Sequence, residues 1–233
     1  MLTSWLLTGA LAFSAPAPIP AAQAFKLPTA LRCVAHRSLT LSLRPVKGAT
    51  WTGATVKVGA RPFKAVDRVA AKRPVRLHRL PRGRLDLEIK AKTSDGRKAE
   101  VERRYQTCVD TRPVIAAPTG TPPTTLQQRD LVTGSVRRAR NGDTVTVQYS
   151  LVTWSDGKAV DSSWDRGQPF TFPLGAGQVI PGFDQGIKGM KVGGRRQLVI
   201  PPDLAYGDEG AGDEIKPGET ALFVIDLVAI DPK

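Results

Sequence analysis

The stretch DGKAVDSSWDRGQPFTFPLGAGQVIPGFDQGIKGM, residues 156–190, decides what the second half of this chain builds. Pro181 stands early in a run that carries Phe183, Ile187 and Met190 at helical spacing, which predicts a short helix with one apolar face. Ahead of it a lone acid, Asp161, sits beside Val160 and two serines, with Phe170 and Phe172 close behind.

Strand candidates flank this stretch. TVTVQYSLV alternates, with Val145, Val147, Tyr149 and Leu151 on one face, and RRQLVIP and TALFVIDLVAI follow the helix. Several strands with one helix predict an α+β domain whose sheet buries one face on that helix.

The same half excludes familiar chemistries. It has no His and no Cys, so a Ser/His/Asp or Cys/His nucleophile lacks its base and a zinc site lacks its usual ligands. The acidic loop YGDEGAGDEI lacks the alternating ligands and closing Glu of an EF-hand, and GAGQVIPG has no Lys-Ser/Thr and no surrounding βαβ unit to make it a phosphate loop. What remains is an aromatic and apolar cluster with few polar groups, and neither a metal nor a cofactor is expected.

NGDTVTVQYS, the long stretch from Asp156 to Gly210 and ETALFVIDLVAI together resemble the FKBP-type peptidyl-prolyl cis/trans isomerases from about Gly134 to Asp231. The resemblance includes the D-S-S, V-I-x-G and P-x-x-A-Y-G signatures. It implies a twisted antiparallel sheet wrapping a short helix, with the active site in a hollow between sheet, helix and loops.

By matching position, Phe183 is the pocket floor, and Tyr149, Phe170, Val179, Ile180 and Tyr206 are its walls. The Ile180 N–H and the Tyr206 hydroxyl donate to substrate carbonyls, while Asp161 orients the polar side. Val160, Phe172 and Ile225 are expected to complete the substrate-binding surface.

Such a site suits X-Pro rotation, which breaks no bond. The barrier of ~18–20 kcal/mol is the amide resonance lost as the bond twists, and a dry pocket that prefers the twisted amide lowers it by differential binding. The family commonly has Phe where this chain has Val160, Trp where it has Phe183 and Phe where it has Ile225. A less aromatic pocket predicts measurable but below-average activity and weak binding of a macrolide ligand. A noncatalytic binding or adhesion module, or a holdase chaperone, is the alternative.

The front half has a different composition. Residues 25–115 hold 22 Lys/Arg against 7 Asp/Glu, whereas residues 116–233 hold 12 against 14, so the net +13 originates in the front. SLTLSLRP, ATVKVGARPF, LDLEIKAKT and KAEVERRYQTC alternate apolar and polar residues, and the Asp-Gly of TSDGRKAEV supplies the positive φ of a hairpin turn. We expect an all-β, Ig-like sandwich over residues 25–110, a Pro/Thr-rich linker over 111–128, and the isomerase domain over 129–233.

Residues 1–24 carry no charge and contain an apolar run from Leu2 to Phe13, too short to span a bilayer, followed by prolines and Ala22-Gln23-Ala24. This reads as a secretory signal peptide without a positive n-region. Export to the cell envelope or beyond would let Cys33 and Cys108 persist as a disulfide. The expected partners are proline-containing folding proteins and, through the basic half, an anionic envelope component. With export, nucleic acid is not an expected partner, and no membrane span is expected.

Overall fold

The computed structural model describes residues 16–59, 61–67 and 73–233, and the chain is mostly β with few helices. Two compact units form, and neither is one continuous stretch. The first draws on the described residues of 1–26, 41–75 and 88–101, the second on 27–40, 76–87 and 102–233.

The elements of the front half are α1 (Ala21–Ala24), β1 (Phe25–Lys26), β2 (Leu39–Leu43), β3 (Trp51–Val58), β4 (Arg61–Asp67), β5 (Val75–Leu77), β6 (Arg84–Thr93) and β7 (Lys98–Gln106). They make a four-stranded sheet of order β4-β3-β6-β7 and a three-stranded sheet of order β1-β2-β5. The period-2 pattern is kept: along β6, Leu85, Leu87, Ile89 and Ala91 are buried while alternate residues face outward. The predicted hairpin forms at Asp95-Gly96, where Gly96 takes φ +86° and its N–H bonds the Thr93 carbonyl at 3.1 Å.

Residues 1–15 of the expected leader lie outside the described residues, as do residue 60 and residues 68–72 of the basic strip. Residues 19–25 are packed within the first unit. The Ile19 N–H donates to the Lys98 carbonyl at 2.8 Å, Ala24 is fully buried, and Phe25 stacks on Trp51 at 6.4 Å.

In the second unit, β8 (Gln127–Val132), β9 (Thr144–Thr153), β10 (Ala159–Ser162), β11 (Phe170–Pro173), β12 (Arg195–Ile200) and β13 (Ala221–Asp231) form one six-stranded antiparallel sheet. Its order is β10-β9-β13-β12-β8, with β11 also pairing β9. The helix predicted from the Pro181 run is α2 (Pro181–Ile187).

Two glycines let α2 approach β12 closely. A Cβ on Gly182 would lie 2.2 Å from Ile200 Cγ2, and one on Gly186 would lie 2.2 Å from Leu198 Cδ1. Phe183 and Ile187 then reach a buried core with Val147, Leu198, Ile200, Phe223 and Ile225.

Upstream chain is built into this unit. The Cys33 N–H bonds the Val228 carbonyl at 2.8 Å and the Ile230 N–H bonds the Leu31 carbonyl at 2.9 Å, so residues 31–33 lie along the end of β13. Cys33 and Cys108 form a disulfide, with Cys33 buried in the domain core. Residues read above as a linker run over the domain: Arg112 pairs with Asp165 at 2.5 Å, Ile115 packs on Val152, Val199 and Leu222, and the Trp154 indole N–H donates to the Gly120 carbonyl at 3.1 Å.

Candidate active site

A cleft of about 460 Å³ opens in the second unit where β9, β10, β11, α2 and two loops meet. Alternation along β9 presents Tyr149 and Leu151, β10 supplies Asp161, β11 supplies Phe170, α2 supplies Phe183 and β13 supplies Phe223. Gly177, Gln178, Val179 and Ile180 form the loop before α2, and Tyr206 follows the 3-10 turn Pro202–Leu204.

The floor is an aromatic nest. Phe183 is 4% exposed and has Phe223, Phe172 and Tyr149 at ring-centroid distances of 5.0, 5.8 and 5.9 Å, mostly tilted or edge-on. Such packing holds the Phe183 ring in one orientation.

One polar group stands in this surface with its partners attached. The Tyr149 hydroxyl and the Arg166 guanidinium both donate to the Asp161 carboxylate, and Arg166 Nη2 also donates to the Tyr149 oxygen at 2.8 Å. Burial acts to raise the Asp161 pKa, but the hydrogen bonds from Tyr149 and Arg166 and the Arg166 charge outweigh it. The carboxyl therefore sits below its ordinary 3.8. Burial pushes both phenols up from 10.0, aided at Tyr149 by its bond to Asp161 and at Tyr206 by the Asp161 charge.

The two serines after Asp161 are structural. Ser163 Oγ accepts the Tyr149 N–H at 2.8 Å, and the Ser162 and Ser150 hydroxyls bond at 3.1 Å, which ties β10 and its following turn to β9. Asp161 is thereby fixed against Tyr149 by its neighbours' side chains.

Two donors remain free. Among the described residues, neither the Ile180 N–H nor the Tyr206 hydroxyl bonds any protein acceptor, while the Ile180 carbonyl is used by the Phe183 and Asp184 N–H groups.

Of the residues singled out from sequence, Tyr149, Asp161, Phe170, Val179, Ile180, Phe183 and Tyr206 are brought together here. Three are placed elsewhere. Phe172 is 2% exposed and stacks behind Phe170 at 5.2 Å, so it supports the wall without lining it. Ile225 is fully buried in the core; it pairs with Tyr149, while Phe223 pairs with Leu151 and enters the cleft.

β13 therefore presents an aromatic side chain to the cleft at Phe223, two residues before Ile225. Val160 lines a different hollow of about 380 Å³ beside Pro113 and Ile115. Sequence reasoning also passed over Leu151, Gly177, Gln178 and Arg166. Period-2 alternation from Tyr149 points to Leu151, whereas nothing local marks Arg166, which the turn after Ser163 folds back onto Asp161.

Residues 135–228 match the family model of the FKBP-type peptidyl-prolyl cis-trans isomerase. An FK506-binding protein of Streptomyces anulatus is 54% identical over 120 residues, covering 51% of this chain and 97% of that protein. A probable FK506-binding protein of Corynebacterium glutamicum is 48% identical over 118 residues, covering 51% and 98%. The crystal structure of FkpA from Escherichia coli aligns with TM-score 0.43 at 38% identity, over 46% of this chain and 48% of that one. With nearly the whole of two relatives contained in its second half, the chain belongs to the FKBP-type peptidyl-prolyl cis-trans isomerases, and its enzymatic activity is rotation of X-Pro peptide bonds.

Proposed function

We infer that the aromatic cleft performs this rotation by holding the proline ring on Phe183, between Tyr149, Phe170, Val179 and Phe223, and favouring the twisted amide. The observation that carries the assignment is the pair of unpartnered donors on the cleft wall, the Ile180 N–H and the Tyr206 hydroxyl. Each is available to a substrate carbonyl.

As the C–N bond twists, resonance is lost, the nitrogen becomes pyramidal and the carbonyl loses charge to it. A dry aromatic surface that contacts the twisted form better than either planar form lowers the barrier, and about 1.4 kcal/mol of such preference is tenfold in rate. Asp161 acts as a fixed polar contact whose charge is held by Tyr149 and Arg166. No proton transfer is assigned to it.

A protease-free cis-to-trans assay on the full chain tests these roles. Asp161→Ala and Tyr206→Phe should each slow turnover of an X-Pro peptide with the fold retained. Unchanged rates in both would move the site elsewhere.

We further place the protein outside the cytoplasm, acting on exported proline-containing chains. The apolar run Leu2–Phe13 and the Cys33–Cys108 bond support that reading. Among the described residues no helix is long and apolar enough to cross a membrane. The front half is taken as an Ig-like sandwich whose excess of Lys and Arg meets an anionic envelope surface. Binding to anionic vesicles should then fall steeply with salt; salt-independent or absent binding would remove the role.

A macrolide of the FK506 kind is assigned to the same cleft, weakly because the floor is Phe183. Affinity equal to that of a Trp-floored family member would overturn the weak assignment.

A further inference from the structure

A second cavity, of about 480 Å³, adjoins the aromatic cleft and shares Gly177 and Val179 with it. Its remaining lining is of another kind: Asn141, Gly175, Pro181, Asp184, Gln185 and Lys188. No aromatic ring is among them.

Its walls are fixed. Asp184 accepts the Gly175 N–H at 3.0 Å and the Gly177 N–H at 3.3 Å, which pins the loop to α2 and occupies both carboxylate oxygens. Arg196 Nη1 donates to the Gly186 and Lys188 carbonyls at 2.9 and 3.3 Å, so the backbone that carries Lys188 is held to β12.

The donors that are left face a ligand or solvent. Among the described residues, the Lys188 ammonium and the Gln185 and Asn141 amides have no protein acceptor, and the one carboxylate in the lining is already bonded. A hollow with an unspent ammonium and two unspent amides, in which the acid's two oxygens already accept backbone N–H groups, offers its remaining donors to a carboxylate.

We propose that this cavity is a specificity subsite for an acidic side chain of the substrate, with Lys188 as its charged determinant. The inference rests on the reading that the aromatic cleft binds the proline. With at most ~3.3–3.6 Å per extended residue, an Asp or Glu two or three positions from the proline reaches across the Val179 ridge. The preferred substrates are then polypeptides with an acid near, but not next to, the proline.

The test is kcat/KM of the full chain on peptides that share one X-Pro core and carry Ala, Glu or Lys two or three residues away, on either side. Partly exposed charge pairs of this kind are worth about 2–5-fold. The Glu peptide on one side should therefore exceed the Ala peptide by that factor, and the Lys peptide should fall below it.

Lys188→Gln should bring the Glu/Ala ratio near one, and Lys188→Glu should invert it in favour of Lys. Lys158→Gln, an exposed lysine remote from this lining, should leave the ratio as in the unaltered protein. Asp161→Ala should lower all three rates together and keep the ratio, so rates report on the aromatic cleft and ratios on the subsite. A Glu/Ala ratio of one in the unaltered protein, or a ratio equally sensitive to Lys158 and Lys188, overturns the proposal.

Discussion

Two clefts, one in each unit, differ more in the chemistry of their walls than in volume. The cleft of the first unit is the larger, about 640 Å³ against about 460 Å³, and is lined by Pro18, Ala54, Ala91, Ala99, threonines and lysines. One of its lysines is paired at the surface: Lys90 lies 2.5 Å from Glu88 and 2.9 Å from Glu100. Exposed pairs of this sort contribute little and are screened by salt. The smaller cleft has a rigid aromatic floor, one partly buried carboxylate with a depressed pKa and two unspent donors. Function follows from the environment of a few polar groups rather than from their number.

The comparison breaks most readily at the floor. Phe183→Ala should destabilise the second unit by about 3–5 kcal/mol, since a buried ring is lost among three others, and should cost more than tenfold in kcat/KM. Chemical denaturation and the isomerase assay on the same preparation check both. A variant that keeps full turnover would mean that aromatic contact is not what distinguishes the clefts.

Next in size is the Cys33–Cys108 clamp. The double variant Cys33→Ser/Cys108→Ser should lose about 2–4 kcal/mol of unfolding free energy, as expected for a long closed loop. Turnover at 25 °C should stay intact, because the bond lies in the core and outside the cleft lining. Lost turnover in a folded variant would tie the clamp to the cleft.

Asp161→Asn should cost roughly tenfold, because it removes the charge that Tyr149 and Arg166 bond. The pH profile sharpens this. The folded-state pKa of Asp161 is depressed, so its contribution is fully present above 3.8 and disappears only as pH falls through the lower folded value. Tyr206 is raised above 10.0, so its hydroxyl remains a donor through the alkaline range up to that point. Measured kcat/KM should therefore be flat across neutrality, with an acid limb below 3.8 that Asp161→Asn abolishes. An acid limb near pH 6 would show another group in control.

The smallest effect belongs to the first cleft. Thr52→Trp, an exposed lining residue, should change kcat/KM by less than about 1.5-fold. A larger change would give that cleft a part in turnover.

Much of this contrast was legible in the residues. Pro181 with Phe183 and Ile187 fixed the helix, the alternation through Tyr149 and Leu151 fixed a strand with one apolar face, and Asp95-Gly96 fixed a turn, because each is a short-range rule with one outcome. Phe223 and Ile225 could not be told apart that way. They lie two apart on the same face of β13, and only the pairing of Phe223 with Leu151 puts the former in the cleft.

Val160 failed for the opposite reason. Its placement beside Pro113 and Ile115 depends on chain 45 residues upstream, which no local pattern reports. The same holds for residues 111–128: their Pro/Thr composition describes a spacer, yet Ile115 and Gly120 find partners on the domain.

The strand order has a consequence for how the enzyme comes into being. β13 is the last strand in the chain, yet it lies at the middle of the sheet, between β9 and β12. A polypeptide emerging from its N-terminus makes β9 and β12 with no common partner and leaves residues 31–33 with nothing to pair against until Ala221–Asp231 arrives. The aromatic floor is incomplete until then, because Phe223 on that strand packs 5.0 Å from Phe183. An enzyme that rotates X-Pro bonds therefore has no complete cleft of its own until this strand is made.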